Sequence, residues 1–256
     1  MSAADVVFFD CNAFLGSAQT GTWKPAGDRA ALLAAMDESG IEKALVWHVA
    51  QRDWSIPEGN ALASAAVAGE ERLWGCWTLL PPHTGETPCG AALHERMKKE
   101  RIRAVRLFPG DHRFVAGRTA LGSLLDGLAR RGVPLFLSME RAGIDYPMVD
   151  RLLAEFPRLP FVLCDVGVWG VDRYTRPLLE HFPNVYLETS CLMLHDGVLD
   201  ALVRAYGARR LLFGTGFPDR HPASAMLPLV HADMSEDDKR MIASGNVERL
   251  LGRVRL

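Results

Sequence analysis

Eight short runs rich in β-forming residues, separated by stretches with helical periodicity, limit what this chain can fold into more than any other feature. They are Val6–Asp10, Lys43–Val49, Leu73–Leu79, Ala104–Phe108, Pro134–Ser138, Phe161–Asp165, Val185–Thr189 and Leu211–Gly214. Several are apolar on both faces, as strands covered by helices must be. Strand and helix alternate, which is the pattern of repeated βα units on a parallel sheet. A closed (β/α)8 barrel takes about 250 residues, and this chain has 256. We therefore expect one TIM-barrel domain over residues 1–256. An open doubly wound sheet is the alternative. No Gly-x-Gly-x-x-Gly turn follows the first run, so a dinucleotide cofactor is not expected.

The helices follow from spacing and punctuation. Asp28–Ser39 carries Ala31, Leu32, Ala35 and Met36 on one face and is stopped by Gly40. Ser123–Arg131 ends at Gly132, Tyr146–Phe156 ends before Pro157, and Arg176–His181 ends before Pro183. Ser235–Ser244 opens with Ser235 three residues before Asp238, a variant of the capping box. Ser17–Gly27 and Pro81–Pro88 read as loops over one end of the barrel.

Charge and cysteine use exclude several functions. Net charge is −2 with no basic stripe, so neither nucleic acid nor an anionic membrane is an expected partner. No run is long enough to span a bilayer, and Met1–Asp5 lacks the basic n-region of a secretory signal. The five cysteines (Cys11, Cys76, Cys89, Cys164 and Cys191) are odd in number and form no Cys-x-x-Cys pair. Free thiols in a cytoplasmic protein are expected, most of them buried as small apolar groups.

Three strand ends carry a resemblance. Phe9-Asp10-Cys11-Asn12-Ala13-Phe14-Leu15-Gly16, Leu163-Cys164-Asp165-Val166-Gly167 and Leu212-Phe213-Gly214-Thr215-Gly216-Phe217-Pro218 frame three signatures of the amidohydrolase superfamily. The branch they resemble holds small decarboxylases and lactonases. The closing Gly245-Asn246-Val247-Glu248-Arg249-Leu250-Leu251-Gly252 and the runs starting at Phe156-Pro157 and Phe182-Pro183 are similar to the same family, in the same order. The resemblance implies a metal site at the C-terminal ends of the strands. Its two strand-one histidines fall on Asn12 and Phe14, its strand-five histidine on Ser138, its strand-six histidine on Asp165, and its strand-eight aspartate on Gly216. Only Asp165 among these binds a cation strongly. Zinc takes about four N, S or O donors, so no catalytic metal and no other cofactor is expected.

The chemistry then rests on side chains at the strand ends, where such barrels place their sites. Arg106 in an apolar strand must be paired or must reach the mouth. It suits a substrate carboxylate or an internal pair with Asp165 or Glu188. Asp165 is the candidate base, and His48, which ends the second strand, is the candidate proton carrier. Asn12, Ser138, Glu188 and Trp169 are candidate substrate contacts. Asp10 reads as a hydrogen-bonded strand carboxylate. Glu140 reads as a solvated neighbour of Arg141, and Asp219-Arg220-His221-Pro222 reads as a turn. Ser138 and Cys11 are the placed nucleophiles, yet no Gly-x-Ser-x-Gly elbow exists. Trp23, Trp54 and Trp169 would form a lid, pack between loops, or make a contact between copies of the chain.

Three readings follow. The first is a metal-independent hydrolase cleaving a small carboxylate-bearing substrate, an activated ester or lactone rather than an amide, because the metal's Lewis acidity and activated water are missing. The second is an inert relative that binds a small ligand or a partner protein. The third is a relocated metal site built from His48, Asp165, Glu188 and His195.

Overall fold

All eight expected strands form, and they pair in chain order. A computed structural model describes residues 6–17, 26–140, 144–167, 172–192 and 197–256. In chain order the elements are β1 (Phe8–Leu15), α1 (Arg29–Ser39), β2 (Ile41–His48), α2 (Ala50–Asp53), α3 (Ile56–Val67), β3 (Leu73–Thr78), α4 (Gly90–Lys99), β4 (Ile102–Arg106), α5 (Arg118–Arg131), β5 (Leu135–Ser138), α6 (Tyr146–Glu155), β6 (Phe161–Cys164), α7 (Thr175–His181), β7 (Val185–Glu188), α8 (Val198–Tyr206), β8 (Leu211–Leu212), α9 (Ala223–His231), α10 (Glu236–Arg240) and α11 (Asn246–Gly252). The sheet order is β1 through β8, and the neighbouring pairs are parallel. This is the (β/α)8 barrel that the alternation predicts, and the open-sheet alternative falls away.

Closure depends on an extended first strand. The sequence places the end of β1 at Asp10, but the strand continues to Leu15 with an irregular register between Asp10 and Ala13. β8 is only two residues long, so the seam is made by backbone beyond it. Cys11 N–H donates to the Phe213 carbonyl at 2.9 Å, Gly216 N–H to Asn12 at 3.1 Å, and Phe14 N–H to Phe217 at 2.9 Å. The buried Asp10 carboxylate ties the seam further. It accepts from the Thr215 N–H at 3.0 Å and the Thr215 hydroxyl at 2.5 Å, and from its own neighbour Asn12 N–H at 2.8 Å. Asp10 is thus the hydrogen-bonded strand carboxylate that the sequence suggests.

The interior is filled by large apolar groups at both levels. Phe8 meets Phe213 with ring centroids 4.8 Å apart, and Phe14 meets Trp47 at 5.0 Å. Helix ends follow the expected chemistry in several places. The Asp28 side chain accepts from Ala31 N–H, and Gly40 ends α1 at φ 73°, a left-handed turn that suits glycine. Ser235 caps α10 through Asp238 N–H, but the expected single helix over Ser235–Ser244 widens into a π-type turn at Met241–Gly245 before α11 continues. α5 starts at Arg118 rather than Ser123, because the Glu155 carboxylate accepts from the Arg118 N–H across 37 residues of sequence. All five cysteines are free, and Cys89 alone is exposed. No helix among the described residues is long and apolar enough to cross a membrane.

Candidate active site

The C-terminal ends of β1 and β4 to β8 converge on one buried polar chain, and the amide of Asn12 is its centre. The Asn12 carbonyl oxygen accepts from Arg106 Nη2 at 2.8 Å. Its Nδ2 donates to Glu188 Oε2 at 3.0 Å and more weakly to Asp165 Oδ1 at 3.4 Å. The arginine, a donor only, fixes which way the amide points. Arg106 is linked to the two acids through Asn12, in place of the direct ion pair that the sequence suggests. The guanidinium is 1% exposed and lies over the ring of Trp47 at 5.0 Å and of Phe136 at 5.8 Å. It is a strut beneath the site, and it does not line the cavity above.

Asp165 is the carboxylate that reaches that cavity. It follows β6 with φ 56°, a left-handed conformation that aspartate tolerates better than most residues. Ser138 Oγ donates to its Oδ2 at 2.5 Å, and Arg220 Nη1 donates to its Oδ1 at 2.8 Å. The other end of Arg220 meets Glu140 Oε2 at 2.6 Å. The first of these carboxylates is buried and the second is exposed, so Arg220 spans the site from floor to rim.

Glu188 lies behind Asp165, wholly buried in β7. It accepts from Ser190 Oγ at 2.9 Å and from the Ser190 N–H, and Oε2 also takes Asp165 N–H at 3.3 Å. Burial pushes its carboxyl up to about 7, with the nearby Asp165 charge adding to the rise. Charge counting explains the direction. An ionised Glu188 would put a second negative charge beside Asp165 in a low-dielectric interior.

The cavity over this floor measures ≈ 930 Å³. Asp165, Ser190, Cys191 and Arg220 form its polar side, and Ile144, Tyr146 and Tyr174 contribute to its apolar wall. The two tyrosine rings stack 4.2 Å apart, nearly parallel at 8°. His221 also lines it. Arg220 and His221 sit in the segment that the sequence presents as a simple turn. That turn is built on Gly216, whose carbonyl accepts from Asp219 N–H at 3.0 Å and Arg220 N–H at 3.3 Å.

The other expected site residues lie elsewhere. His48 is not brought to Asp165. Its Nδ1 accepts from the Ala50 N–H at 3.1 Å, which uses the imidazole as a cap for α2, and burial lowers its pKa. This placement gives the proton-carrying role expected of His48 no support, and the expected relocated metal site includes His195, which lies outside the described residues. Ser138 is buried, donates to Asp165 and is not among the residues lining the cavity. Cys11 is buried and its thiol is held well above its ordinary value, mainly by burial. Cys191 borders the cavity, but burial pushes its thiol up to about 12, so it is not a thiolate near neutral pH. Trp23, Trp169, Arg141 and His195 lie outside the described residues. Trp54 is exposed and lines a separate hollow with Arg52 and His112.

The donors do not fit a divalent ion at the position the sequence resemblance implies. Asn12 presents N–H groups, not lone pairs, toward Asp165 and Glu188. Phe14 is packed against Trp47, and residue 216 has no side chain. Glu140, Asp165 and Cys191 bring one donor atom each to within 4.8 Å of one another, but the guanidinium of Arg220 already binds both carboxylates.

Comparison with known proteins fits this architecture. No curated protein matches the sequence. Among solved structures, an uncharacterized TIM-barrel protein from Bordetella bronchiseptica superposes with a TM-score of 0.73 at 19% identity, over 97% of this chain and 99% of that one. A dihydroxybenzoic acid decarboxylase from Polaromonas sp. JS666, solved with manganese and the inhibitor 2-nitroresorcinol, gives 0.74 at 16% identity over 98% of each chain. The 4-oxalomesaconate hydratase of Rhodopseudomonas palustris gives 0.70 at 15% over 96% of each. At these identities the likeness establishes the fold. The amidohydrolase family model matches residues 18–253, which is most of the chain. The strand-end motifs, the barrel and this match agree: the chain belongs to the amidohydrolase family.

Proposed function

We propose that the protein is an enzyme that cleaves a small carboxylate-bearing substrate, an activated ester or lactone, with side chains alone. The observation that carries this reading is the bridging of Asp165 and Glu140 by Arg220 at the cavity wall. The Glu140 contact is exposed, and such surface pairs contribute little stability. A substrate carboxylate can take the place of Glu140 on the outer edge of the guanidinium through a bidentate contact. The compounds in the enzyme names of two structural neighbours, dihydroxybenzoic acid and 4-oxalomesaconate, are small organic acids, which supports the same class.

Asp165 and Glu188 then act as an acid pair that holds one proton near neutral pH. Water adds to the substrate carbonyl while Asp165 takes its proton. The pair returns a proton to the departing oxygen, and the acyl–oxygen bond breaks. Ser190, which touches both Glu188 and the cavity, links the deeper acid to the reaction space. Arg106 holds Asn12, and Asn12 holds both acids apart. Arg106 is therefore revised from a substrate contact to a positioning residue.

The test is a panel of small carboxylate-bearing lactones and aryl esters, with binding and turnover measured separately. Arg220→Gln is expected to weaken binding about a hundredfold, the usual scale for losing one partner of a buried charge pair. Asp165→Asn should bind with little change and lose turnover, with folding verified by circular dichroism. Equal binding by Arg220→Gln would refute the assignment. Binding without turnover across the panel would favour an inert ligand-binding relative.

A further inference from the structure

We infer that Arg220 is a resident cation: its guanidinium supplies, as a fixed part of the chain, the positive charge that a metal supplies in metal-bearing relatives, and Gly216 is the residue that admits it. The inference concerns how charge is held in the site and stands independently of any turnover.

Three observations converge. Glu140, Asp165 and Cys191 place donor atoms within 4.8 Å of one another, close enough to supply three of the about four donors a zinc ion takes. Arg220 is paired to both carboxylates of that group, at 2.8 Å and 2.6 Å. Gly216 occupies the strand-eight position where the resemblance implies an aspartate. A Cβ on residue 216 would lie 2.5 Å from Arg220 Nη1 and 3.5 Å from its Cδ. A side chain at 216 would therefore require the flexible end of Arg220 to shift from the position in which it bridges the two carboxylates. The φ of 67° at Gly216 adds a second cost to any substitution there. The strand-eight ligand is lost at the one place where its absence makes room for a cation four residues later. The same turn carries that cation, because Arg220 N–H bonds the Gly216 carbonyl. The guanidinium is planar and permanently charged, so it can bridge the two carboxylates at any ordinary pH.

The test is zinc titration by calorimetry on chelator-treated protein, using zinc chloride alone. Wild type and Arg220→Lys, which keeps a positive charge, should take up no stoichiometric zinc in the cavity. Arg220→Ala uncovers two carboxylates and a thiol. It should bind about one zinc per chain, on the order of tenfold or more tighter than wild type. Adding Asp165→Asn to Arg220→Ala should abolish that gain. Gly216→Ala offers a second route, because it leaves Arg220 in the chain but drives it from its place; it should acquire zinc affinity in the same direction. If neither Arg220→Ala nor Gly216→Ala, each folded by circular dichroism, binds zinc better than wild type, the inference is overturned. Stoichiometric zinc in wild type, lost in Asp165→Asn, would overturn it as well.

Discussion

Glu188 makes stability depend on pH in a direction opposite to that of most carboxylates. Its carboxyl is raised from the ordinary 4.5 to about 7 by burial, with help from the Asp165 charge. Between those values the folded protein holds a proton that the unfolded chain has released. Folding is then favoured by acid, and stability falls as pH rises through this window. Below about 4.5 both states are protonated, and above about 7 both are ionised, so the change is confined between them. Each pH unit is worth about 1.4 kcal/mol, so the loss amounts to ~3 kcal/mol across the window. The group has no exposed surface, so solvent does not screen this contribution away. Urea denaturation of wild type and Glu188→Gln from pH 4.5 to pH 8 isolates it. Glutamine keeps the shape but places an amide N–H₂ among donors, including Ser190 and Asn12. Its curve is expected to sit lower at acid pH. The diagnostic is the slope: wild type should approach or cross the variant as pH rises. Parallel curves, or a gap that widens with pH, would show that the acid pair does not hold a proton near neutrality.

Other perturbations test the scaffold of the site. Asn12→Ala removes the amide between Arg106 and the two acids and leaves a buried guanidinium without that partner. A loss of about 2–3 kcal/mol in urea denaturation is expected, the scale for a buried hydrogen bond to a charged group, and a loss below 1 kcal/mol would contradict the role of Asn12 as the keystone. Gly59→Ala puts a Cβ 2.3 Å from the Gln51 backbone nitrogen, where α3 crosses α2. Overpacking against backbone costs roughly 1–3 kcal/mol, and each kcal/mol lowers Tm by about 2–4 °C in a chain of this length. A thermal scan showing no decrease would refute the close approach.

The barrel was legible because short β runs alternate with helical stretches and several of the runs are apolar enough to be buried on both faces. Strand boundaries agree within a few residues except at β1, whose end was hidden by polar Asp10 and Asn12. Those two residues read as a strand exit, but they are interior groups satisfied by Thr215, Arg106 and Glu188 across the barrel. α3 is hard to read from the sequence although Ser55 and Pro57 mark its start, because its small residues give weak periodicity. Asp165, Glu188, Asn12 and Arg106 do converge, as strand-end placement suggests. His48 does not, because its imidazole serves the following turn. The role of Arg220 is masked in the sequence by its surroundings. Glycines and prolines from Gly214 to Pro222 mark the segment as a turn, and they do so correctly. The available signal was the pairing of a vacated ligand position at Gly216 with an arginine one turn later. Only the structure gives the distance that makes this pairing meaningful.

The shortness of β8 links ligand occupancy to the persistence of the whole barrel. The amides that fasten the last strand to the first belong to Cys11, Phe14 and Gly216, and the same backbone carries Asn12 and launches the Arg220 turn. Local breathing at this joint would dismantle the candidate site while the remaining seven strands still hold. A molecule seated on Arg220 should therefore act as a latch, slowing hydrogen exchange at those amides more than at amides on the far side of the cylinder.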